Sequence, residues 1–421
     1  MRFTTRSTGK WVWITLIATG GMMPEVQADT LADVLAAGHA EVDLRYRLET
    51  VSQDNSLKDA RASTARLRAG YESGSYDGFF GMAEAQSLGV VGQDFYNSTS
   101  NGKVNYATVA DPGITEPDQL YIGYNGLPDT LVKYGQQRLQ LDNERFIGNV
   151  GWRQIEQTFD AATLVNHSLP DTTITTAYLY KIHRVFGDYV TAPPGKFSSR
   201  SPLLNINYHP AQEFNLSAYS YLIDLQGLAA SLQPAYHSTR TDGIRLTGRV
   251  PAMAPWNINY TAEFALQSNG LENPENFLVH YHMAELGASW HTLNFKLSQE
   301  LLGSNGSTAF QTPLATLHAF SGWADMFLQT PLLGLKDSFA TLGSDVEGIQ
   351  ASIIYHDFHS DRSDIHYGTE WDAQLLKHFG NRYTLGAALG AYHNVTLIAG
   401  TTYAPATPST TKGWVWGEIS L

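Results

Sequence analysis

Ala40-Glu41-Val42-Asp43-Leu44-Arg45-Tyr46-Arg47-Leu48-Glu49 is the stretch from which the rest of the chain can be read. Apolar Ala40, Val42, Leu44, Tyr46 and Leu48 alternate with charged Glu41, Asp43, Arg45, Arg47 and Glu49, so one face of a strand meets grease and the other meets water. A helix, with its repeat of about 3.6 residues, would scatter both sets around its axis. Ala65, Leu67, Ala69 and Tyr71 repeat the pattern against Thr64, Arg66, Arg68 and Glu72. It returns at Leu120/Ile122/Tyr124, Ile244/Leu246/Gly248, Ile258 to Leu266, Leu293/Phe295/Leu297, Ile349 to Tyr355, Tyr367 to Leu375 and Tyr383 to Leu389. About 18 segments of roughly ten residues are expected, the length of a tilted membrane strand.

The two ends of the chain agree with a barrel. Basic Arg2, Arg6 and Lys10 precede the apolar run Trp11 to Ile17, and Val26-Gln27-Ala28 closes it as a small-x-small cleavage site. This predicts a secretory signal peptide over 1–28 and a single barrel domain over 29–421. The apolar run is too short to span a bilayer, which takes about 20 residues. No later stretch approaches that length, so membrane insertion requires strands closed into a barrel. Trp414-Val415-Trp416-Gly417-Glu418-Ile419-Ser420-Leu421 alternates and stops without a polar tail, as expected of a last strand that closes on the first and is handled by the barrel assembly machinery.

Connection lengths alternate as they do in bacterial barrels, short on the periplasmic side and long outside. Gly74 to Gly78, Asn125 to Asp129, Asn166 to Asp171, His209 to Glu213, Gly343 to Gly348 and Gly380 to Arg382 are short. Gly89 to Asp118, Leu139 to Glu156, Gly187 to Arg200, Gln226 to Ser238, Ser268 to His280, Leu302 to Leu335 and His393 to Gly413 are long. His359 to Asp364 is a short link on the outer side. The Leu302 to Leu335 segment carries Leu314, Leu317, Phe320, Trp323, Met326 and Phe327, which predicts a short buried helix or plug.

Composition narrows the function. The chain has no cysteine, which excludes disulfides and thiolate metal sites. Its formal charge is −13; the signal peptide carries Arg2, Arg6 and Lys10 against Glu25, a net +2, so the mature chain is at −15 and a nucleic-acid partner is not expected. Tyr (22) and Trp (9) are abundant enough for aromatic girdles against outer-membrane lipid. No nucleophile elbow, Walker loop or dinucleotide fingerprint is present, so no enzyme and no cofactor are expected. The pairs His280/His282 and His356/His359 match no zinc spacing, and the link Asp357 to Asp364 has oxygen ligands for calcium without the order of an EF-hand loop; no metal is assigned.

Arg45, Arg47, Arg66 and Arg68, with Lys133 or Arg138, fall on the polar face of early strands, and Arg145 and Arg153 follow in the next long link. Guanidinium groups stay charged and grip carboxylates bidentately, so such a row favours anions in a pore. The competing expectation is that they pair with Glu41, Asp43, Glu49, Glu72 or Asp160 and hold the wall together. Asp142, Glu144 and Trp152 suit an in-folded constriction where an aromatic stacks on a sugar and charges orient it; Phe146, Ile147 and Trp152 would equally anchor that loop to the wall.

Two stretches resemble the alginate export family of outer-membrane proteins: Tyr134-Gly135-Gln136-Gln137-Arg138 through Leu141-Asp142-Asn143-Glu144-Arg145 to Gln157-Thr158-Phe159-Asp160-Ala161, and Pro313 to Phe320 running into Gly322-Trp323-Ala324-Asp325-Met326-Phe327. Lys181-Ile182-His183-Arg184-Val185-Phe186-Gly187 fits the same pattern. The resemblance implies an 18-stranded barrel whose in-folded loops constrict an electropositive pore, and in the namesake members the passage of a polyuronate. The expectation is a Gram-negative outer-membrane porin for passive diffusion of hydrophilic anions such as oligosaccharides, uronates or organic acids. The alternative is a non-conducting barrel that binds polysaccharide or a surface through its external loops.

Overall fold

The computed structural model describes residues 30–227, 238–271, 273, 275–395 and 407–421; the expected signal peptide lies outside the described residues, as do parts of the links at Gln226, Ser268 and His393. Eighteen antiparallel strands, each paired with its neighbours in sequence, close into one barrel through β1 (His39–Gln53) and β18 (Thr410–Ser420). The closing register sets Arg45 opposite Glu418 and Arg47 opposite Trp416, so the terminal strand does close on the first. No described helix is long and apolar enough to cross a membrane, and in a barrel the crossing is made by strands.

One end of the barrel carries tight turns. Only Glu347 and Gly348, both with positive φ (53° and 74°), join β14 (Leu335–Val346) to β15 (Ile349–His359), a mirror-image turn whose twist matches that of the strands. The other end carries the long loops. Along β1 the two faces separate as the alternation requires: Val42, Leu44 and Tyr46 are exposed on the outside, and Arg45 and Arg47 are buried within. Outward aromatic pairs collect near the turn end, among them Trp256/Trp290 at 6.0 Å and Phe79/Tyr124 at 4.5 Å between ring centroids. This is the girdle that flanks an apolar band.

Two expectations on loops need correction. The Gly89 to Asp118 link is shorter than expected, because β3 (Phe79–Val90) and β4 (Ile114–Leu127) extend into it. Pro117 interrupts the alternation that would have marked β4; the ladder accommodates it beside a register shift at Glu84/Ala85. Leu302 to Leu335 folds into the barrel, but its only helical piece is one 3-10 turn, Leu317–Ala319. Pro313, Gly322 and Pro331 break any longer run. A short helix α1 (Leu31–Ala36), opened by a Thr30/Asp33 capping box, sits at the turn end, where Gly74 N–H donates to the Val34 carbonyl at 2.9 Å.

Candidate functional site

Three loops fold into the barrel: L2 (91–113) between β3 and β4, L3 (138–157) between β5 (Thr130–Gln137) and β6 (Thr158–Asn166), and L7 (303–334) between β13 (Leu293–Leu302) and β14. L3 and L7 leave the wall eight strands apart, nearly opposite in a ring of eighteen, and meet across the lumen. There Ile147 and Leu314 form a parallel bridge. Gly148 N–H donates to the Leu314 carbonyl at 2.9 Å, Thr316 N–H to the Glu144 carbonyl at 3.0 Å, and Val150 N–H to Thr316 Oγ1 at 3.0 Å. The Thr316 hydroxyl also donates to the Glu144 carboxylate. Phe146, Ile147, Phe310 and Leu314 pack on the inward tyrosines Tyr219, Tyr221 and Tyr281, which seals one side of the joint.

The sequence-predicted arginines hold L3 on the other side. Arg45, Arg47 and Arg66 donate to the backbone carbonyls of Gly151, Trp152 and Gln154 at 3.2, 2.7 and 3.3 Å. Arg45 and Arg47 are alternate residues of β1, and Arg66 of β2 (Ala60–Glu72) lies directly opposite Arg45, so the three guanidinium groups form one lumenal patch on which the turn of L3 after Val150 rests. Arg47 also grips Asp111 of L2 through both oxygens, at 2.9 and 2.8 Å. Arg68 reaches Glu156 at 2.5 Å and Asp118 at 3.3 Å. Arg138 contacts Glu84, Asp118 and Glu156 together. Arg153 bridges Glu49 and Asp325, each at 3.3 Å, and so ties L3 to both wall and L7.

Other predicted residues have different surroundings. Arg145 lies in the sealed half, bound to Glu300 at 2.7 Å and set over the Phe320 ring at 4.7 Å. Asp142 accepts from Asn205 Nδ2 at 2.6 Å, and Glu144 from Gln140 Nε2 at 2.8 Å. Lys133 stands apart from the arginine cluster, donating to the Tyr121 hydroxyl at 3.1 Å. Trp152 stacks flat on His318 of L7 at 4.4 Å and meets Trp414 and Trp416 edge-on at 5.5 and 5.4 Å. Of the carboxylates expected to pair with the arginines, Asp43 meets Arg66 and Glu49 meets Arg153, whereas Glu72 accepts from Tyr121 and Asp160 meets Lys181.

Sequence reading named Asp43 and Glu49 but not the rest of the acidic half of this network. Arg45, Arg47, Arg66, Arg68, Arg138, Arg153 and Lys412 make seven cations; Asp43, Glu49, Glu84, Asp111, Asp118, Glu156, Asp325 and Glu418 make eight carboxylates in contact with them among the described residues. The cluster is therefore close to neutral, unlike the electropositive lining that the family resemblance implies. Burial pushes the Asp325 carboxyl up, but Lys412, His318 and Arg153 outweigh it and hold Asp325 well below the usual carboxylate range. The charges are not equally accessible: side chains of Arg138 and Arg153 retain 25% and 12% exposure against 1%, 0% and 0% for Glu49, Asp111 and Asp118, whereas Glu418 and Asp43, beside Arg45 and Arg66, retain 30% and 19%.

L7 is fastened with the opposite polarity. Glu370 and Asp372, alternate residues of β16 (His366–Phe379), accept from Ala324 N–H at 2.6 Å and Trp323 N–H at 3.2 Å. A signal was present in Glu370-Trp371-Asp372, where two acids flank an outward tryptophan.

No family model and no curated protein matches the chain. Its fold is that of several solved barrels. Acinetobacter baumannii OccAB1 matches with 10% identity over 94% of this chain and 99% of that one (TM-score 0.69), and OccAB2 with 13% identity over 92% and 98% (TM-score 0.70). Pseudomonas aeruginosa OpdK, solved with vanillate, matches with 11% identity over 92% and 99% (TM-score 0.65). The likeness to alginate export proteins rests on the sequence stretches alone.

Proposed function

We propose that this chain is an outer-membrane channel that passes small hydrophilic anions, organic acids foremost, through the passage narrowed by L2, L3 and L7. The observation that carries the reading is the accessibility of charge at the joint itself: Arg138 and Arg153 are partly exposed while the carboxylates they pair with, Glu49, Glu84, Asp118, Glu156 and Asp325, are buried. Fixed charge nearest the path acts most strongly on a permeant ion, and charges buried behind it act through the intervening cations. The outward apolar face and turn-end aromatic pairs support the membrane placement. The porin fold shared with OpdK, a protein solved with a carboxylate ligand, supports the solute class. In this reading Arg45, Arg47, Arg66 and Arg68 set the position of L3, Arg138 and Arg153 supply the selective charge, and Asp142, Glu144 and Trp152 shape the constriction.

Proteoliposome swelling tests the reading. Small carboxylate salts should enter vesicles carrying the folded protein faster than neutral sugars of the same size. Folded barrels that admit neither would overturn it in favour of a non-conducting barrel that binds through its loops, a reading to which the hydrogen-bonded L3–L7 joint lends support.

A further inference from the structure

At the loop end of the barrel, on the side away from the lumen, β15 and β16 bring together three side chains that no spacing in the sequence relates. His359 and His366 are paired directly across the two strands, beside a register shift at Phe358/His359. Asp357 lies two residues before His359 and shares its face, because His356 and Phe358 between and before them point into the barrel. His366 Nε2 stands 2.9 Å from one Asp357 oxygen, and His359 Nε2 stands 3.4 Å from the other. One donor atom from each of the three lies within 4.8 Å of the others. Below them the outward pair Tyr355/Trp371, 4.8 Å between centroids, continues the aromatic rim.

We infer that Asp357, His359 and His366 form a divalent transition-metal site, with zinc the best-suited ion. Two imidazoles and one carboxylate are a borderline donor set that suits zinc, copper or nickel better than magnesium or calcium. Tetrahedral zinc with bonds of about 2.0–2.1 Å spaces its ligand atoms roughly 3.4 Å apart; His359 Nε2 stands at that distance, 3.4 Å, from one Asp357 oxygen, and His366 Nε2 lies nearer, 2.9 Å, to the other. The rings of His359 and His366 lie nearly parallel, 4.6 Å apart, with both Nε2 atoms turned to the same carboxylate. A second observation supports the assignment. Asp364 places Oδ1 3.3 Å from His359 Nδ1, the outer-sphere carboxylate that orients a metal-binding histidine, and Lys336 holds that oxygen at 2.8 Å. His359 and His366 side chains are 24% and 40% exposed, so an ion has access and a fourth position can be taken by water. Binding would pin the short 360–365 link to the strands it joins.

Calorimetric titration of the full, detergent-folded barrel with zinc chloride tests this, with heat-modifiable gel migration to verify folding. The wild type should bind one zinc ion per chain saturably, with calcium unable to displace it. H359Q and H366Q should each weaken binding at least tenfold, and D364N by roughly tenfold, the usual cost of removing an outer-sphere partner. Cobalt(II) in place of zinc should give the intense visible bands of a tetrahedral site, lost in the H359Q/H366Q double variant. Absence of saturable zinc binding, or a folded double variant that binds as the wild type does, would overturn the inference.

Discussion

The two loops that meet in the lumen are moored by groups of opposite sign. L3 lies on a wall of cations, whose guanidinium groups donate to its carbonyls at Gly151, Trp152 and Gln154. L7 lies on a wall of carboxylates, where Glu370 and Asp372 accept from its amides at Ala324 and Trp323. A loop backbone offers both kinds of group, so either sign of wall can hold it. The difference lies in what each wall does besides. Arginine has donors to spare after meeting a carbonyl, and the L3 wall uses them to recruit Asp111, Asp43 and Glu156. The carboxylates of the L7 wall are spent on the loop itself and on His356, which lies 2.9 Å from Asp337 and 3.5 Å from Asp372. The L3 side is therefore a branched ionic network and the L7 side a simple clasp.

If so, removing one member of the network should cost more than removing one member of the clasp. R47A should show the largest effect, about 3–5 kcal/mol, because it leaves the buried Asp111 without its cation and Glu49 with Arg153 alone. Urea unfolding in lipid vesicles measures it, and a loss below that of E370A would break the comparison. E370A should cost about 1–3 kcal/mol by orphaning Ala324 N–H, and should raise conductance by loosening L7. G322A attacks the same clasp from the loop side: Gly322 has φ of 83°, and a Cβ there would sit 2.3 Å from Glu370 Oε2. It should cost about 1–2 kcal/mol and release L7 without touching L3.

The smallest effect is on pH dependence where the loops touch. Burial holds the His318 imidazole below its ordinary value; Asp325 opposes this, and Arg153 and Lys412 reinforce it. The unfolded chain therefore takes up a proton first as pH falls. The contribution of neutral His318, stacked on Trp152, is complete above the unfolded value of about 6.5 and is lost progressively below it, toward the lowered folded value. Conductance should rise on acidification below that point, and H318Q should flatten this part of the profile.

How much of this was legible depended on whether a pattern stayed within one strand. Arg45/Arg47 and Arg66/Arg68 declare their lumenal face by alternation with Leu44, Tyr46 and Leu67, and the eighteen-strand barrel follows from repeating that test. Asp43 and Glu49 share that alternation, but the loop partners of those arginines do not. Asp111 and Asp325 sit in loops whose course depends on contacts 64 and 172 residues distant in sequence, with Arg47 and Arg153. Pro117 hid the start of β4, and the three-residue set Asp357, His359 and His366 exists only because a bulged hairpin aligns two of its members.

The most direct test is the reversal potential of the reconstituted protein across a planar bilayer under a potassium chloride gradient, compared between wild type and R138Q. Anion preference in the wild type, shifted toward cations in R138Q as Glu84, Asp118 and Glu156 lose their shared cation, is the predicted result. A cation-selective wild type, or a folded R138Q channel with an unchanged potential, would contradict it.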